Sequence, residues 1–488
     1  MNLTPREYQK NIFDSILRKG NTLVVLPTGL GKTLIALMLI KDKISSGRCL
    51  FLAPTKPLVL QHFNSITSIL DSEKTNVTIV TGDLPPKKRK EEYNKKIIVA
   101  TPQTINNDLK NKLLSPQFSL IIFDEGHRAV GDYAYVKIAE KVKDNALIVS
   151  LTASPGGRKE RIEEVLSNLY IKNVELRTTT DIDVKPYTHQ TNIFWQFVDL
   201  PPTYMLIKRD LESLISKYAK VLAAFGFPPP LKSKTQFMHL RVRILKSSKK
   251  TKFIALLNYA LLLNLLHMVE LLETQSLQVL QQYINRLSEK TTKSSKILLN
   301  NPLIKRILLL PSQSHPKLEL LTTILSTLKN KKIIVFAQYR DQITLISKHL
   351  NKNNFNSRVF MGKKDNFTKK LQEETLSDFR EGKFNILCSS SVGEEGLDIP
   401  AVDVVIFYEP IPSEIRSIQR RGRTGRFSQG EVYILITRKS RDEYFYWASI
   451  NREKKMKSIL SNISFKKDGY IIVGEKKPLG QTKLSTFK

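Results

Sequence analysis

Cysteine is nearly absent from this sequence. The two that it has, Cys49 and Cys388, lie far apart in apolar, strand-like runs. They do not have the pattern of a disulfide-rich secreted scaffold or of a cysteine metal site, so we expect both to be core residues of a cytosolic protein. An apolar leader is also lacking, because the N-terminus is polar and charged. These absences predict a cytoplasmic protein.

Acidic residues are scarce relative to basic ones. The chain has 78 Lys and Arg against 45 Asp and Glu, which gives a formal net charge of +33. The excess favours a polyanionic partner, most simply nucleic acid, so we expect the protein to be nucleoid-associated. A lysine-rich solvated surface, due to thermophily or genome composition, is the alternative interpretation of the same charge.

Long hydrophobic runs are missing as well, with one partial exception at residues 253–272. That stretch is interrupted by Asn258, Asn264, His267 and Glu270. The last three recur every third residue and so share one side of a helix. The pattern predicts a buried amphipathic helix and not a membrane span, and we expect no membrane partner.

The chain has 488 residues, which is too long for one core and predicts about three domains. Within residues 1–188, continuous apolar runs alternate with helical segments. That alternation is typical of a doubly wound parallel sheet covered on both faces. The predicted strands are Thr22–Leu26, Cys49–Ala53, Val77–Val80, Ile97–Ala100, Leu120–Phe123 and Ala146–Leu151.

The alternation stops over residues 189–312, where long helical runs dominate. A proline-rich turn, Phe227–Pro230, divides this region, and no acidic residue occurs between positions 232 and 252. We interpret residues 189–312 as a basic, mainly helical insertion domain.

The α/β pattern resumes over residues 313–460, without a second phosphate-binding loop. Its predicted strands are Lys332–Ala337, Ser357–Phe360, Phe384–Cys388, Val402–Phe407 and Glu431–Thr437. Residues 461–488 are predicted to form a flexible basic tail. The predicted fold class is therefore α/β, with two doubly wound parallel-sheet domains and a mainly helical insertion domain between them.

A strand, a glycine-rich turn and a helix follow one another near the start of the first domain. This order is typical of the P-loop, in which backbone N–H groups and a helix N-terminus cradle phosphates. Lys32 is placed to reach the β- and γ-phosphates, and the Thr33 hydroxyl to bind Mg²⁺. Leu26 departs from the strict pattern, which has glycine there. The predicted nucleotide-binding residues are Pro27, Thr28, Gly29, Leu30, Gly31, Lys32 and Thr33.

A second candidate element is the apolar run that ends in Asp124-Glu125-Gly126-His127. Open α/β sheets bind ligands at the carboxyl ends of their strands. Asp124 is suited to hold Mg²⁺, and Glu125 to orient and deprotonate an attacking water. The alternative interpretation is that these acidic residues only form a turn at the end of a strand. The P-loop upstream favours the functional interpretation.

These two elements resemble motifs I and II of the superfamily 2 helicases, and further matches follow in the family's order. Arg6 and Gln9 resemble the adenine-reading segment. The remaining matches are 53–58 (motif Ia), 100–103 (Ib), 151–154 (III), 334–339 (IV), 393–400 (V) and 419–426 (VI). The resemblance covers about residues 3 to 440 and implies two RecA-like domains that use ATP and Mg²⁺.

The resemblance also implies roles for the matched residues. Catalysis would involve Lys32, Asp124, Glu125, Gln419, Arg423 and Arg426, with the two arginines as fingers from the second domain. Gly396 and Asp398 would help to bind the nucleotide. Thr55, Lys56, Thr101, Pro102 and Gln338 would face nucleic acid, although a threonine at a strand end is commonly only a helix cap. His127, Thr152 and Ser154 would couple the two sites.

Within the superfamily, the chain most resembles the archaeal Hef and FANCM group, on residues 26–33, 124–139 and 315–317. In that group a helical insertion acts as a clamp on branched DNA. We therefore expect Arg241, Arg243 and Lys246 to contact DNA. Gly126 departs from the group, which more often has alanine. Too few residues follow the second domain to hold an XPF-type nuclease domain, so we expect no nuclease activity.

The last eight residues resemble the peptide that binds the sliding clamp PCNA. Gln481, Leu484 and Phe487 are spaced so that a single helical turn would present them together to an apolar pocket. A second aromatic residue usually follows the first, but here Lys488 is the last residue. A disordered lysine-rich tail is the alternative.

The predicted function is an ATP-dependent DNA helicase or translocase that acts on forked or branched DNA and is tethered to the sliding clamp. Two alternatives stay open. One is an RNA-stimulated enzyme, because RIG-I-like and Dicer-type helicases share this motif set. The other is a clamp-tethered scaffold that binds branched DNA with little turnover, which would have no need of the complete set Lys32, Asp124, Glu125, Arg423 and Arg426.

Overall fold

The computed structural model describes residues 4–70, 76–187, 191–231, 234–311, 313–362, 367–390, 401–411, 413, 418, 424, 430–466 and 469–472. Within these ranges the chain forms two parallel sheets flanked by helices, a helical bundle and a short C-terminal hairpin.

The first sheet runs in the order β3-β4-β2-β5-β6-β1-β7, and all of its strand pairs are parallel. Its strands are β1 Thr22–Val25, β2 Cys49–Leu52, β3 Val77–Val80, β4 Ile97–Ala100, β5 Leu120–Asp124, β6 Leu147–Thr152 and β7 Asn173–Leu176. Its helices are α1 Glu7–Lys19, α2 Lys32–Lys43, α3 Lys56–Ile69, α4 Pro86–Glu92, α5 Pro102–Lys110, α6 Ala134–Val142 and α7 Lys159–Asn168. The predicted strands are confirmed to within a residue, and β7 is an addition to them.

Alternate residues of strands β1 to β6 enter separate apolar clusters on the two faces of this sheet. In β2, Cys49 and Phe51 belong to one cluster, whereas Leu50 and Leu52 belong to the other. Double-sided burial is the reason these strands are continuously apolar. Burial also raises the pKa of Cys49 to about 11 and that of Cys388 to about 12, so both thiols are protonated core groups.

The second sheet runs in the order β10-β11-β9-β12-β13-β8 and is also parallel. Its strands are β8 Thr191–Val198, β9 Ile333–Phe336, β10 Ser357–Phe360, β11 Ile386–Ser389, β12 Val404–Phe407 and β13 Gly430–Thr437. Its helices are α14 Pro316–Thr327, α15 Arg340–Lys352, α16 Lys369–Arg380 and α17 Arg441–Ser461. Two parallel-sheet α/β domains are thus confirmed.

Strand β8 corrects the expected organisation. Residues from 189 onward were assigned to the helical insertion, but residues 191–198 pair along their whole length with β13 at the edge of the second sheet. The chain therefore enters the second sheet before the helical bundle begins. The strand lies at the edge of the sheet, with Trp195 52% and Phe197 41% exposed. The remaining domain boundaries stay a proposal.

The helical bundle consists of α8 Pro202–Ala224, α9 Lys234–Lys246, α10 Lys252–Thr274, α11 Leu277–Ser288, α12 Lys293–Leu299 and α13 Pro302–Leu309. Among the described residues, α10 is long and apolar enough to cross a membrane by length and composition. However, 56% of its most apolar window is buried inside the protein, as in the core helix of a bundle. The predicted buried helix is confirmed.

The polar stripe of α10 contacts α11 and the second domain. Asn264 accepts a hydrogen bond from the Tyr283 hydroxyl at 2.6 Å, and the ring of His267 packs against those of Tyr283 and Tyr339. Glu270 accepts a hydrogen bond from the Tyr339 hydroxyl at 3.0 Å. Since Tyr339 lies three residues after the end of β9, immediately before α15, this stripe joins the bundle to the second domain.

A buried ion pair reinforces the same junction. Lys317, in the first turn of α14, pairs with Asp442 at the start of α17, and both side chains are fully buried. The Lys317 ammonium also donates to the Thr274 carbonyl at the end of α10. Removal of one member of such a pair typically costs about 3–5 kcal/mol, because the other charge is left buried and uncompensated. The bundle and the second sheet therefore form one tightly connected unit.

The C-terminal residues are partly structured where a flexible tail was expected. β14 Ile463–Lys466 and β15 Gly469–Ile472 form an antiparallel pair. The predicted clamp-binding residues Gln481, Leu484 and Phe487 lie outside the described residues.

Candidate functional site

The P-loop connects β1 to α2 and has backbone torsions that favour glycine. Gly29 and Gly31 have φ of 86° and 73°, and Gly31 is the N-cap of α2. The Lys32 ammonium donates to the Leu26 carbonyl at 2.9 Å. Leu26 itself is fully buried in the apolar cluster on one face of the sheet. A side chain at this position is therefore part of the core, which accounts for the departure from the strict glycine pattern.

The N-terminus of α1 packs directly against the P-loop. Gln9 accepts a hydrogen bond from the Arg6 backbone N–H at 2.9 Å and donates through Nε2 to the Leu30 carbonyl at 3.2 Å. The Tyr8 hydroxyl donates to the same carbonyl at 2.8 Å. A Cβ on Gly31 would overlap the Gln9 amide. The predicted base-reading residues thus also support the shape of the loop.

Asp124 lies at the carboxyl end of β5, with only 7% of its surface exposed. Burial by itself would raise its pKa, but the facing His62, with Nε2 2.9 Å from Oδ2, and the charge of Lys32 reverse the effect. The pKa of Asp124 is lowered as a result. The carboxylate therefore stays ionised, as a metal ligand must.

Sequence reasoning missed His62. The residue lies on the buried side of α3, in line with Val59 and Ile66. A single histidine on the apolar side of a helix is usually a core residue. The only signal in the sequence was that His62 lies three residues after Val59 and four residues before Ile66. Its contact with Asp124 depends on tertiary structure.

Glu125 has a left-handed backbone, with φ of 50°, and begins a 3₁₀ turn over Gly126–Arg128. A non-glycine residue in this region is uncommon and often marks a functional site. Its buried Oε2 has no hydrogen-bond partner within the described ranges, although His127 Nδ1 lies 3.3 Å away. An orphaned buried carboxylate oxygen suits a group that binds a water of reaction.

Gly126 is required by the neighbouring strand. A Cβ at this position would overlap the hydroxyl of Ser150 on β6 and lie 3.1 Å from its Cβ. The glycine at this position is therefore matched to Ser150 on the adjacent strand.

Motifs II and III are in direct contact. His127 Nδ1 lies 3.1 Å from the Thr152 hydroxyl. That hydroxyl donates to the Ser154 carbonyl at 3.0 Å and accepts from the Ser154 N–H at 3.1 Å. All three predicted coupling residues are brought together next to Glu125.

The predicted backbone-contacting residues of the first domain lie at two adjacent helix N-termini. Thr55 precedes α3 and Thr101 precedes α5, at the carboxyl ends of the paired strands β2 and β4. Thr55 Oγ1 is buried without a hydrogen-bond partner among the described atoms, whereas the Thr101 hydroxyl bonds that of Thr104 at 2.9 Å. Helix N-termini favour anions such as phosphates. Pro102 is buried as the first residue of α5.

Other predicted nucleic-acid residues are exposed. Lys56 forms an ion pair with Asp83, and Gln338 follows β9 with an exposed side chain. Arg241, Arg243 and Lys246 are exposed on α9 of the helical bundle. Motif V, with Gly396 and Asp398, lies outside the described residues, as do Gln419, Arg423 and Arg426 of motif VI. Their roles stay predictions.

The residues of the first domain fit a nucleotide with its magnesium ion. The ionised Asp124 carboxylate and the Thr33 hydroxyl are the hard oxygen ligands that Mg²⁺ prefers. The charges of Lys32 and Asp124 are close enough to interact. This donor set, on a glycine turn and a parallel-sheet edge, is that of a P-loop nucleoside triphosphatase.

Comparisons with known proteins agree with this class. Residues 2–157 match the family "Type III restriction enzyme, res subunit", and residues 316–428 match "Helicase conserved C-terminal domain". Residues 233–316 match "Putative ATP-dependent RNA helicase, helical bundle".

A solved structure, the Hef helicase domain of Pyrococcus furiosus, is similar over 91% of this chain and 98% of its own, with 40% identity and a TM-score of 0.69. The "Putative ATP-dependent RNA helicase" of Methanocaldococcus jannaschii is 38% identical over 480 residues, 95% of this chain. The "ATP-dependent DNA helicase mph1" of Neurospora crassa is 34% identical, also over 95%. The chain spans 61% and 44% of the lengths of these two relatives. It belongs to the superfamily 2 helicases, in the family of the Hef helicase domain.

We predict that His62→Ala weakens the response of ATP hydrolysis to Mg²⁺. Partners that orient a metal-binding carboxylate typically contribute about 10–100-fold to metal affinity or activity. ATPase activity titrated with Mg²⁺ should therefore require about tenfold more metal in this variant. Gln61→Ala, at the exposed neighbouring position on α3, is the matched control. An unchanged Mg²⁺ dependence in His62→Ala would contradict the assigned role.

We predict that Gly126→Ala destabilises the protein by about 1–3 kcal/mol, the usual cost of overpacking. The added methyl group overlaps the Ser150 hydroxyl, so Ser150→Ala in the same chain should recover most of the loss. Urea unfolding measures both changes. Ser150→Ala alone is the control and should be nearly neutral, because its hydroxyl has no hydrogen-bond partner in the described part of the chain. Equal instability of Gly126→Ala with and without Ser150→Ala would refute this explanation.

Proposed function

We propose that this protein is an ATP-dependent DNA helicase or translocase that acts on forked or branched DNA. The observation that carries the proposal is a single sheet edge with two kinds of site. The hydrolytic carboxylates follow β5, and two helix N-termini suited to phosphates follow β2 and β4. ATP hydrolysis and contact with the nucleic-acid strand would then take place at neighbouring β-strands of one sheet.

In the proposed hydrolysis, Lys32 neutralises the β- and γ-phosphates while Thr33 and Asp124 hold Mg²⁺. The metal ion supplies neutralisation of charge that develops on the phosphates. Glu125 orients the attacking water and accepts its proton. Gln419, Arg423 and Arg426, together with Gly396 and Asp398, would complete the site from the second domain. Hydrolysis would then require closure of the two domains.

On the nucleic-acid side, Thr55, Thr101 and Gln338 would contact the strand backbone without reading its sequence. The exposed Arg241, Arg243 and Lys246 of the helical bundle would grip the duplex or branch. The mph1 relative is named a DNA helicase, which favours DNA as the partner. A role in replication-fork repair in the nucleoid follows from this proposal.

RNA is the second candidate substrate. The Methanocaldococcus jannaschii relative and the helical-bundle family are both named for RNA helicases. Recognition of RNA in preference to DNA requires contacts to 2′-hydroxyl groups.

We predict that Lys32→Ala abolishes nucleic-acid-stimulated ATP hydrolysis, because the β- and γ-phosphates lose their neutralising cation. Hydrolysis is measured for wild type and variant with single strands, forked DNA, four-way junctions and double-stranded RNA. Stimulation of the wild type should be strongest with forked or branched DNA. Lys41→Ala, exposed on the same helix α2, is the control and should behave as wild type.

Two results would contradict the proposal. Retained stimulation in Lys32→Ala would remove the P-loop from the mechanism. Stronger stimulation of the wild type by double-stranded RNA than by any DNA would assign RNA as the substrate.

We also propose that the C-terminal peptide tethers the enzyme to a sliding clamp. Leu484 and Phe487 would enter an apolar pocket of PCNA, with Gln481 as the polar anchor. The Leu484→Ala, Phe487→Ala double variant should lose at least tenfold in affinity for the clamp of the same organism, measured by calorimetry. Lys483→Ala keeps the three anchors and should bind as wild type. Unchanged affinity of the double variant would rule out this peptide as the tether.

A further inference from the structure

The helix α17 contacts each of the three larger parts of the molecule. Its first residues form hydrogen bonds with α10 of the helical bundle, and Tyr446 belongs to the apolar core of the second domain. Its last turns, with Met456, Ile459 and Leu460, belong to the apolar core of the first domain. Arg441 and Met456 are 15 residues apart, so about 22 Å of helix separates these contacts. A single helix therefore contacts the bundle, the second domain and the first domain.

The contact with the first domain is made at motif III. The Ser154 hydroxyl donates to the Met456 sulfur at 2.9 Å, and both residues are buried. Three residues further on, a Cβ added to Gly157 would lie 2.7 Å from the Cβ and 2.8 Å from the carbonyl oxygen of Arg452. The loop after β6 thus lies directly against the backbone of α17.

Motif III is in turn connected to the hydrolytic site. Ser154 shares two hydrogen bonds with the Thr152 hydroxyl, which lies 3.1 Å from His127 Nδ1. The same ring nitrogen lies 3.3 Å from Glu125 Oε2. A continuous series of contacts therefore leads from the proposed general base to Met456.

The opposite end of α17 is fixed to the bundle by charge. The Arg441 guanidinium donates to Glu270 at 3.0 Å, and the Arg441 N–H donates to Glu273 at 3.1 Å. Glu273 also pairs with Lys208 of α8 at 2.6 Å. Next to them, Asp442 accepts from the Thr437 N–H at 3.0 Å and forms the buried pair with Lys317.

The two ends differ in chemistry. Charge-assisted hydrogen bonds at Arg441 and Asp442 are strong and directional, so this end should move with the bundle and the second domain. At the other end the contacts include the buried apolar side chains of Met456, Ile459 and Leu460 and a weak hydrogen bond from Ser154 to sulfur. Methionine is flexible and adapts to altered surroundings, so the Met456 side chain can follow a small shift of motif III and stay in contact with it.

We propose that α17 transmits conformational change between the ATP site and the DNA-gripping bundle. Met456 is a positioning residue for motif III, and Arg441 is the matching anchor on the bundle. The inference rests on the proposed function, because it concerns how DNA on the bundle stimulates hydrolysis. Branched DNA held by the bundle biases the position of α17. Through Met456, that position determines how Ser154, Thr152 and His127 are arranged next to Glu125.

The test compares Met456→Ala, Arg441→Gln and the double variant. For each, ATP hydrolysis is measured without nucleic acid and with saturating forked DNA, alongside thermal unfolding. Each single variant should retain basal hydrolysis within about twofold but lose about fivefold or more of the stimulation, a typical coupling factor between linked sites. The double variant should lose no more than the more affected single variant, because both changes interrupt one connection.

Two controls accompany these variants. Met456→Leu conserves volume and apolar character, so it should keep stimulation near that of wild type. Lys454→Ala removes an exposed side chain from the same helix and should have no effect. Arg441→Gln lies far from the first-domain core, so it tests the proposal even if Met456→Ala unfolds.

Three results would overturn the inference. Wild-type stimulation in a folded Arg441→Gln variant would show that the anchor transmits nothing. Additive losses in the double variant would show two independent effects. Equal loss of basal and stimulated hydrolysis would show a merely structural role for Met456. A wild-type enzyme that no nucleic acid stimulates would instead refute the proposed function itself.

Discussion

Every strand of a parallel sheet ends at the same edge, and the chemistry of this protein depends on that geometric constraint. The P-loop follows β1, Asp124 ends β5, and Thr152 ends β6. These three strands are neighbours in the order β5-β6-β1, so the residues proposed to bind phosphate, to bind metal and to couple the two sites meet at one edge. The helix N-termini after β2 and β4 continue the same edge. Strand order alone therefore places the candidate backbone contacts beside the carboxylates proposed for hydrolysis.

Local sequence patterns predicted most of the first domain. Its strands are short, apolar and separated by helices, so each run carries its own signal. Strand β8 is rich in β-branched and aromatic residues, which favours a strand, but the helical runs that follow it led to its assignment to the insertion. Its partner β13 is more than 200 residues away in sequence. Nothing local in β8 shows which sheet it joins, so the junction between bundle and second domain could be found only in three dimensions.

The residues of the candidate site also fall into those that the sequence predicted and those that it did not. Lys32, Asp124, Glu125 and His127 were predictable because a motif ties each residue type to a step of phosphoryl transfer. His62 and Met456 were not, since each is a single residue on a helix whose apolar neighbours explain it equally well. Their relevance comes from the residue across the contact, a buried carboxylate in one case and a motif III hydroxyl in the other. Support for a catalytic group is a property of packing, which a single sequence does not display.

The pairing of β8 with β13 also imposes an order on biosynthesis. β8 leaves the ribosome roughly 230 residues before the strand that will cover it. At about 5–20 residues per second, its backbone and the aromatic rings of Trp195 and Phe197 remain without their partner strand for about 10–50 s. The apolar core of the first domain is also incomplete during this interval, because Met456, Ile459 and Leu460 of α17 belong to it and are made later still. Until β13 is made, the unpaired backbone of β8 is open to pairing with another chain.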